Sequence, residues 1–182
     1  MSPNVSNVDW QDIRVAAEIT DIQEHVNAIR DNAIEYAVSR LPAASRDEDL
    51  VALSQRQDFL SHLKCGLAKG VGNLLMKNDE LIKNVYLYEP DTNPEFDLGV
   101  VQPLDANVHL LLLVRKSSAA LEALIIALDR ALTQSLKESE FPVYAKYPSV
   151  LDVVPITDED VRMRRGFATL LTSIFTPPIR VC

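Results

Sequence analysis

A chain of 182 residues with 47% apolar side chains can bury a sizeable core, which excludes a chain that stays disordered for want of apolar surface. Its 26 acidic against 18 basic residues leave a formal charge of -8, which excludes a general nucleic-acid or anionic-membrane surface, because phosphate affinity comes from clustered Lys and Arg that release counterions. Two distant cysteines, Cys65 and Cys182, form neither a disulfide framework nor a zinc ligand set, and no apolar run reaches the roughly 18 residues of a membrane span, so the expected setting is soluble, reducing and cytoplasmic.

The first predicted element is a helix over residues 9–40. Val15, Ile19, Ile22, Val26, Ile29, Ala33 and Tyr36 recur at alternating spacings of four and three, the repeat of a helix that buries one narrow stripe. Leu41-Pro42 ends it, since proline disfavours a helical residue before it and lacks an amide donor. A second helix is expected over residues 47–77, with Leu50, Leu53, Leu60, Leu63, Leu67, Val71 and Leu74 in phase and Asp47, Glu48 and Asp49 against the positive end of its dipole. The two should pack as a hairpin over residues 9–77. Gly66, Gly70 and Gly72 each weaken this helix by roughly 1 kcal/mol relative to Ala, so they predict close approach by a neighbouring backbone. The seam of the first helix serves docking within the chain or dimerisation.

Beyond Asn78-Asp79 the period becomes extended. Residues 85–88 and 98–101 read as strands separated by the turn cluster Glu89-Pro90-Asp91-Thr92-Asn93-Pro94, and the apolar run 108–114 reads as a central strand covered on both faces. Ser118 offers an N-cap to a helix over residues 119–137. Residues 150–154 read as a strand parallel to an earlier one, reached by a crossover. Thr157, followed by Asp158, Glu159 and Asp160, caps a last helix to residue 175, with Val161, Phe167, Leu170, Leu171 and Ile174 inward. The predicted fold is α+β in one domain, 1–182. A long helical hairpin precedes a β-β-β-α-β-α core over residues 84–176, with a mixed sheet of about four strands covered by helices.

The acidic turn is the first candidate for chemistry. Glu95 and Asp97 are two apart at the start of a strand and share a face, and Asp152 lies in another strand. Were those strands neighbours, the three carboxylates would suit a hard divalent cation such as Mg²⁺ or Mn²⁺. Here the chain resembles the nucleotidyltransferase superfamily, whose strand after a Gly-Ser turn carries an acidic pair and whose later strand adds a third acid. Glu95, Asp97 and Asp152 match in type and order, whereas Glu89-Pro90 stands where that family has Gly-Ser and the strand 108–114 is an insertion. The same segment resembles the core of the PD-(D/E)XK nucleases, with Asp97 as the first acid and Lys116 as the lysine; Val114 stands at the position of the second acid.

Other signals are smaller. His62 and Cys65 are three apart on one helix and make half of a metal site without a second pair at ligand spacing. His109 opens the apolar strand and reads as a hydrogen-bonded structural histidine. Arg162, Arg164 and Arg165 form a basic cluster, with Lys146 and Arg180 as candidate neighbours, and suit an anion or an acidic partner. With no complete catalytic, metal or nucleotide signature, the leading expectation is a non-catalytic interaction or regulatory protein without a cofactor, a homodimer or partner-binder through its N-terminal helices. The alternative is a divergent metal-dependent nucleotidyltransferase-like or nucleotide-binding protein built on Glu95, Asp97 and Asp152. A small-ligand binder using the sheet-to-helix crevice is a third.

Overall fold

A computed structural model describes residues 22–89, 105–139, 141–174 and 177–182. In chain order they form α1 (Ile22–Arg40), α2 (Leu50–Leu53), α3 (Gln57–Asn78), β1 (Ile82–Tyr88), β2 (Val108–Val114), α4 (Ala119–Lys137), β3 (Leu151–Thr157), α5 (Asp158–Met163) and β4 (Ile179–Arg180). Shorter 3-10 segments lie at Pro142–Lys146 and Gly166–Thr172. The fold is α+β, with a mixed four-stranded sheet in the order β3-β2-β1-β4. β1 runs antiparallel to β2 and β4, and β2 runs parallel to β3 through α4, the crossover expected from the sequence. Residues 9–21 of the first predicted helix and the strand expected at 98–101 lie outside the described residues. The fourth described strand is instead β4, beyond Pro177-Pro178, where the sequence reading ended its last element.

Three layers build up from the sheet. α3 and α4 pack on one sheet face, and α1 packs on both of them. The stripe of α1 is therefore covered within the chain: Val26, Ala33 and Ala37 are buried. A Cβ at Gly66 would sit 2.9 Å from the Cα of Ala33, and one at Gly70 would sit 2.6 Å from Cγ2 of Ile29. The approach at Gly66 is by backbone, as expected, whereas Gly70 meets the Ile29 side chain and Gly72 meets the side chains of Cys182 and Val85. On the other side α1 is tied to α4 by Ser135, a buried residue whose Oγ donates to Asn27 Oδ1 at 2.7 Å and accepts from Arg30 at 3.0 Å.

The helix predicted over 47–77 breaks into α2 and α3. Leu53 and Leu60 are seven apart, so the apolar phase runs across the break and hides it. Local polar groups make the interruption. Ser54 Oγ donates to the Val51 carbonyl at 2.7 Å, Asp58 accepts the Phe59 amide at 2.8 Å, and Arg56 reaches Ser45, Glu48 and Asp58. Such short side chains offer the backbone an alternative to the helical ladder.

Alternation along the strands sorts the two faces. Val85, Leu87, Val108, Leu110, Leu112, Val114 and Leu151 enter the main core under the helices, while Tyr88, Leu111, Ile156 and Ala168 make a smaller cluster on the opposite face. Ser118 caps α4 by accepting the Leu121 amide at 3.1 Å. Asp129 of α4 accepts the amides of Val150 and Leu151 at 3.0 and 2.9 Å, which fixes the start of β3. At the far end of β3, past Pro155, Thr157 and Asp160 form a capping box in which the Thr157 amide donates to Asp160 at 2.9 Å.

That box starts a helix far shorter than expected. α5 stops at Met163 because Arg164, at φ 51°, turns left-handed and its amide and that of Arg165 bond back to Val161 and Asp160. The chain continues as the 3-10 segment Gly166–Thr172, which covers the second sheet face with Ala168 buried. Phe167, expected inward, is 48% exposed, because a 3-10 turn does not hold the helical phase that would aim it at the core, and Ile174, also expected inward, lies beyond the segment and is 85% exposed.

Candidate functional site

The second sheet face carries a row of ionisable side chains. Tyr88 pairs with His109 across β1 and β2, and His109 pairs with Asp152 across β2 and β3. Cross-strand partners share a face, so the three side chains form one row over three strands. The Tyr88 and His109 rings lie 5.5 Å apart, and Phe167 from the covering 3-10 segment packs 5.9 Å from Tyr88.

His109 is 8% exposed and uses both ring nitrogens. Nδ1 lies 2.9 Å from Asp152 Oδ2 and Nε2 lies 3.0 Å from Asp105 Oδ2. Two ionised carboxylates only accept, so both contacts are hydrogen bonds when both ring nitrogens carry protons, the imidazolium form. Burial works to raise the Asp105 carboxyl, but the Asn107 amide, the His109 ring and the charge of Lys64 outweigh it and bring it below the ordinary carboxylate range. Burial, with the charge of Asp152 and a hydrogen bond to it, pushes the Tyr88 phenol up to about 12.

A second buried charge joins this row to the helical layer. Lys64 on α3 is 4% exposed, and its ammonium donates to Glu89 Oε2 at 2.7 Å and to the Asp105 carbonyl at 3.1 Å. Lys64 thus braces both the segment leaving β1 and the segment entering β2. Tyr147 adds a third tie, its hydroxyl accepting the Ala106 amide at 3.1 Å. The constellation ties β2 to β3 and to the segment that enters β2. It leaves neither ring nitrogen of His109 free for an outside reactant.

Of the predicted metal ligands, Glu95 and Asp97 lie outside the described residues. Asp152 opens β3, half of its side chain exposed, and its carboxylate is held by His109. A cation there would compete with His109 for Asp152. Val114, at the second acidic position of the nuclease pattern, is buried among core residues under the helices, and Lys116 lies on the surface just beyond β2. His62 packs edge-on to Tyr36, and Cys65 is half-buried against the main core, which the pair's spacing on α3 allows. Arg162, Arg164 and Arg165 are exposed together at the end of α5. Among the described residues no group of three or more His, Cys, Asp and Glu side chains is arranged to hold a metal ion, and no helix among them is long and apolar enough to cross a membrane.

Sequence reasoning found His109 and Asp152 separately and missed Asp105 and Tyr88 as their partners, and Lys64 as the partner of Glu89. Lys64 did carry a signal. It sits four residues after Leu60 and seven before Val71, on the apolar stripe of its helix, where a charge must find a buried partner. No protein-family model, curated protein or solved structure matches the chain.

Proposed function

We propose that this is a non-catalytic interaction or regulatory protein, in which a helical layer and a mixed sheet hold a rigid frame for contact with another macromolecule. One observation carries the reading: the buried charged groups satisfy one another, while Asn107 Oδ1 and the Tyr144 hydroxyl are buried without a partner among the described residues. His109 is bracketed by Asp105 and Asp152, and Lys64 by Glu89 and the Asp105 carbonyl, so the cluster acts as a clasp between chain segments. A general base or nucleophile needs a reactive atom within reach of substrate, and the His109 ring nitrogens and the Lys64 ammonium are each engaged inside the fold. Contact or self-association through the N-terminal helices would use the polar outer face of α1, because its buried stripe already meets α3 and α4.

A second reading is a metal-dependent nucleotidyltransferase-like protein using Glu95, Asp97 and Asp152 with Mg²⁺ or Mn²⁺. Chain connectivity favours it: the segment bearing Glu95 and Asp97 joins the end of β1 to the start of β2, and Asp152 lies in register with His109 at that end of the sheet. Thermal shift with Mg²⁺ or Mn²⁺, with and without ATP, separates the two readings, since a ligand bound only by the folded state raises the melting point. The interaction reading expects no shift. A cation-dependent rise that disappears in Asp97→Asn and Asp152→Asn would overturn it in favour of the second.

A further inference from the structure

We propose that the turn from Arg162 to Phe167 docks a short acidic segment of a partner protein, one that brings an apolar side chain beside its carboxylates. This rests on the interaction reading above and gives it a site and a partner chemistry. Six consecutive residues, Arg162, Met163, Arg164, Arg165, Gly166 and Phe167, are exposed. They place three guanidinium groups within four positions on a chain whose net charge is -8. An acidic segment is repelled by most of such a surface and attracted here, which gives the encounter its direction. Arginine suits the role, because its planar fork pairs with a carboxylate through two parallel hydrogen bonds.

The fold supplies a second reason. Arg164 occupies the left-handed position that closes α5, at φ 51°, where glycine carries no steric cost. Its exposed guanidinium has no ion pair among the described residues, nor has that of Arg162, so the arginine adds nothing to the turn that glycine would not. Arg165 lies within the electrostatic reach of Asp160, which leaves Arg162 and Arg164 as the uncommitted charges.

The apolar half of the contact is beside them. Met163 is 53% and Phe167 48% exposed, and Phe167 rests on the Tyr88 ring, which gives it a fixed floor. The surface is also short. Asp158, which pairs with Lys83, and Glu159 are exposed at the other end of the same helix, so the charge reverses at Glu159 within one or two turns. A lipid surface or a long nucleic acid would meet those carboxylates, whereas a short acidic peptide fits between.

The test uses the full chain and fluorescence anisotropy of a labelled synthetic peptide of Glu and Leu. An all-Glu peptide, an oligothymidine of equal charge and phosphatidylserine vesicles serve as comparisons. The Glu/Leu peptide should bind most tightly and weaken with added salt. Arg162→Gln with Arg164→Gln should weaken it by about tenfold or more, and Phe167→Ala by about threefold. Arg164→Gly should weaken binding while the protein becomes no less stable, which separates contact from folding. Absence of peptide binding, or binding that survives the arginine substitutions, overturns the site. Tighter binding of the oligothymidine or the vesicles through the same arginines also overturns it and assigns the turn to phosphate. None of these results depends on Mg²⁺ or ATP, so the failure of this site and the failure of the interaction reading are told apart.

Discussion

Replacing Gly66 by Ala should destabilise the protein, although helix propensity alone predicts the opposite. Alanine inside an exposed helix gains about 1 kcal/mol over glycine. At Gly66 the added Cβ would lie 2.9 Å from the Cα of Ala33, while ordinary contact begins near 3.4 Å, so α1 must retreat by about half an ångström. It cannot retreat freely, because Ser135 ties it to α4. Overpacking of this kind costs about 1–3 kcal/mol, which leaves a net loss of up to about 2 kcal/mol and a melting point lower by up to roughly 8 °C. Urea denaturation followed by circular dichroism gives the loss directly. Adding Ala33→Gly should restore only part of the stability, because it removes the Ala33 Cβ at 3.0 Å but leaves the backbone Cα at 2.9 Å. Gly70→Ala differs, since its nearest atoms are all from the Ile29 side chain, and Ile29→Ala should show favourable coupling with it in a double-mutant cycle. The midpoint should not vary with protein concentration, since α1 docks within one chain. A Gly66→Ala protein more stable by about 1 kcal/mol would refute the close packing of α1 on α3.

Lys64→Met should cost about 1–3 kcal/mol, read by urea denaturation, because the Asp105 carbonyl loses a buried donor while half-exposed Glu89 can turn to water; an unchanged midpoint would refute the bracing role. The Asp105 carboxyl lies below its ordinary value in the fold, so its contribution is complete above the unfolded pKa near 3.9 and is lost as pH falls through the folded value. Asp105→Asn should therefore flatten the acid side of a plot of stability against pH, and an identical acid slope would contradict the pairing with His109. Arg164→Gly should stabilise the protein by about 0.5–1 kcal/mol, because glycine meets no side-chain penalty at φ 51°. A loss on denaturation would show that the arginine contributes to the fold.

Periodicity carried most of the architecture. α4 begins and ends where the spacing and Ser118 place it, and the continuous apolar run of β2 lies between two strands with nearly every residue buried. The two helical misreadings share a cause. Apolar phase is preserved from Leu53 to Leu60, and apolar side chains continue past Met163, so neither the Ser54 break nor the left-handed turn at Arg164 leaves a mark in hydrophobicity. The site was less legible because it depends on register. His109 and Asp152 are 43 positions apart, and only the pairing of β2 with β3 sets them side by side. Asp105, by contrast, is local to His109 at four residues' separation. Lys64 was readable as a charge on an apolar stripe, but its partners come from distant segments.

The outer edge of β3 bears on how this sheet can meet other chains. In a parallel pair, alternate residues of a strand turn their amides toward the neighbour, and the Val108 amide bonds to the Val150 carbonyl, so Leu151, Val153, Pro155 and Thr157 turn theirs away from β2. Asp129 takes the first of these amides, Asp160 takes the last, and proline has none to offer. Among the described residues, a strand arriving at this edge finds a single donor, at Val153. Templated growth of the sheet, the route by which exposed edges seed aggregates, is thereby blunted. The two carboxylates that do this each perform another task, one anchoring α4 and one opening α5, so neutralising either would loosen a helix and unmask a template in the same stroke.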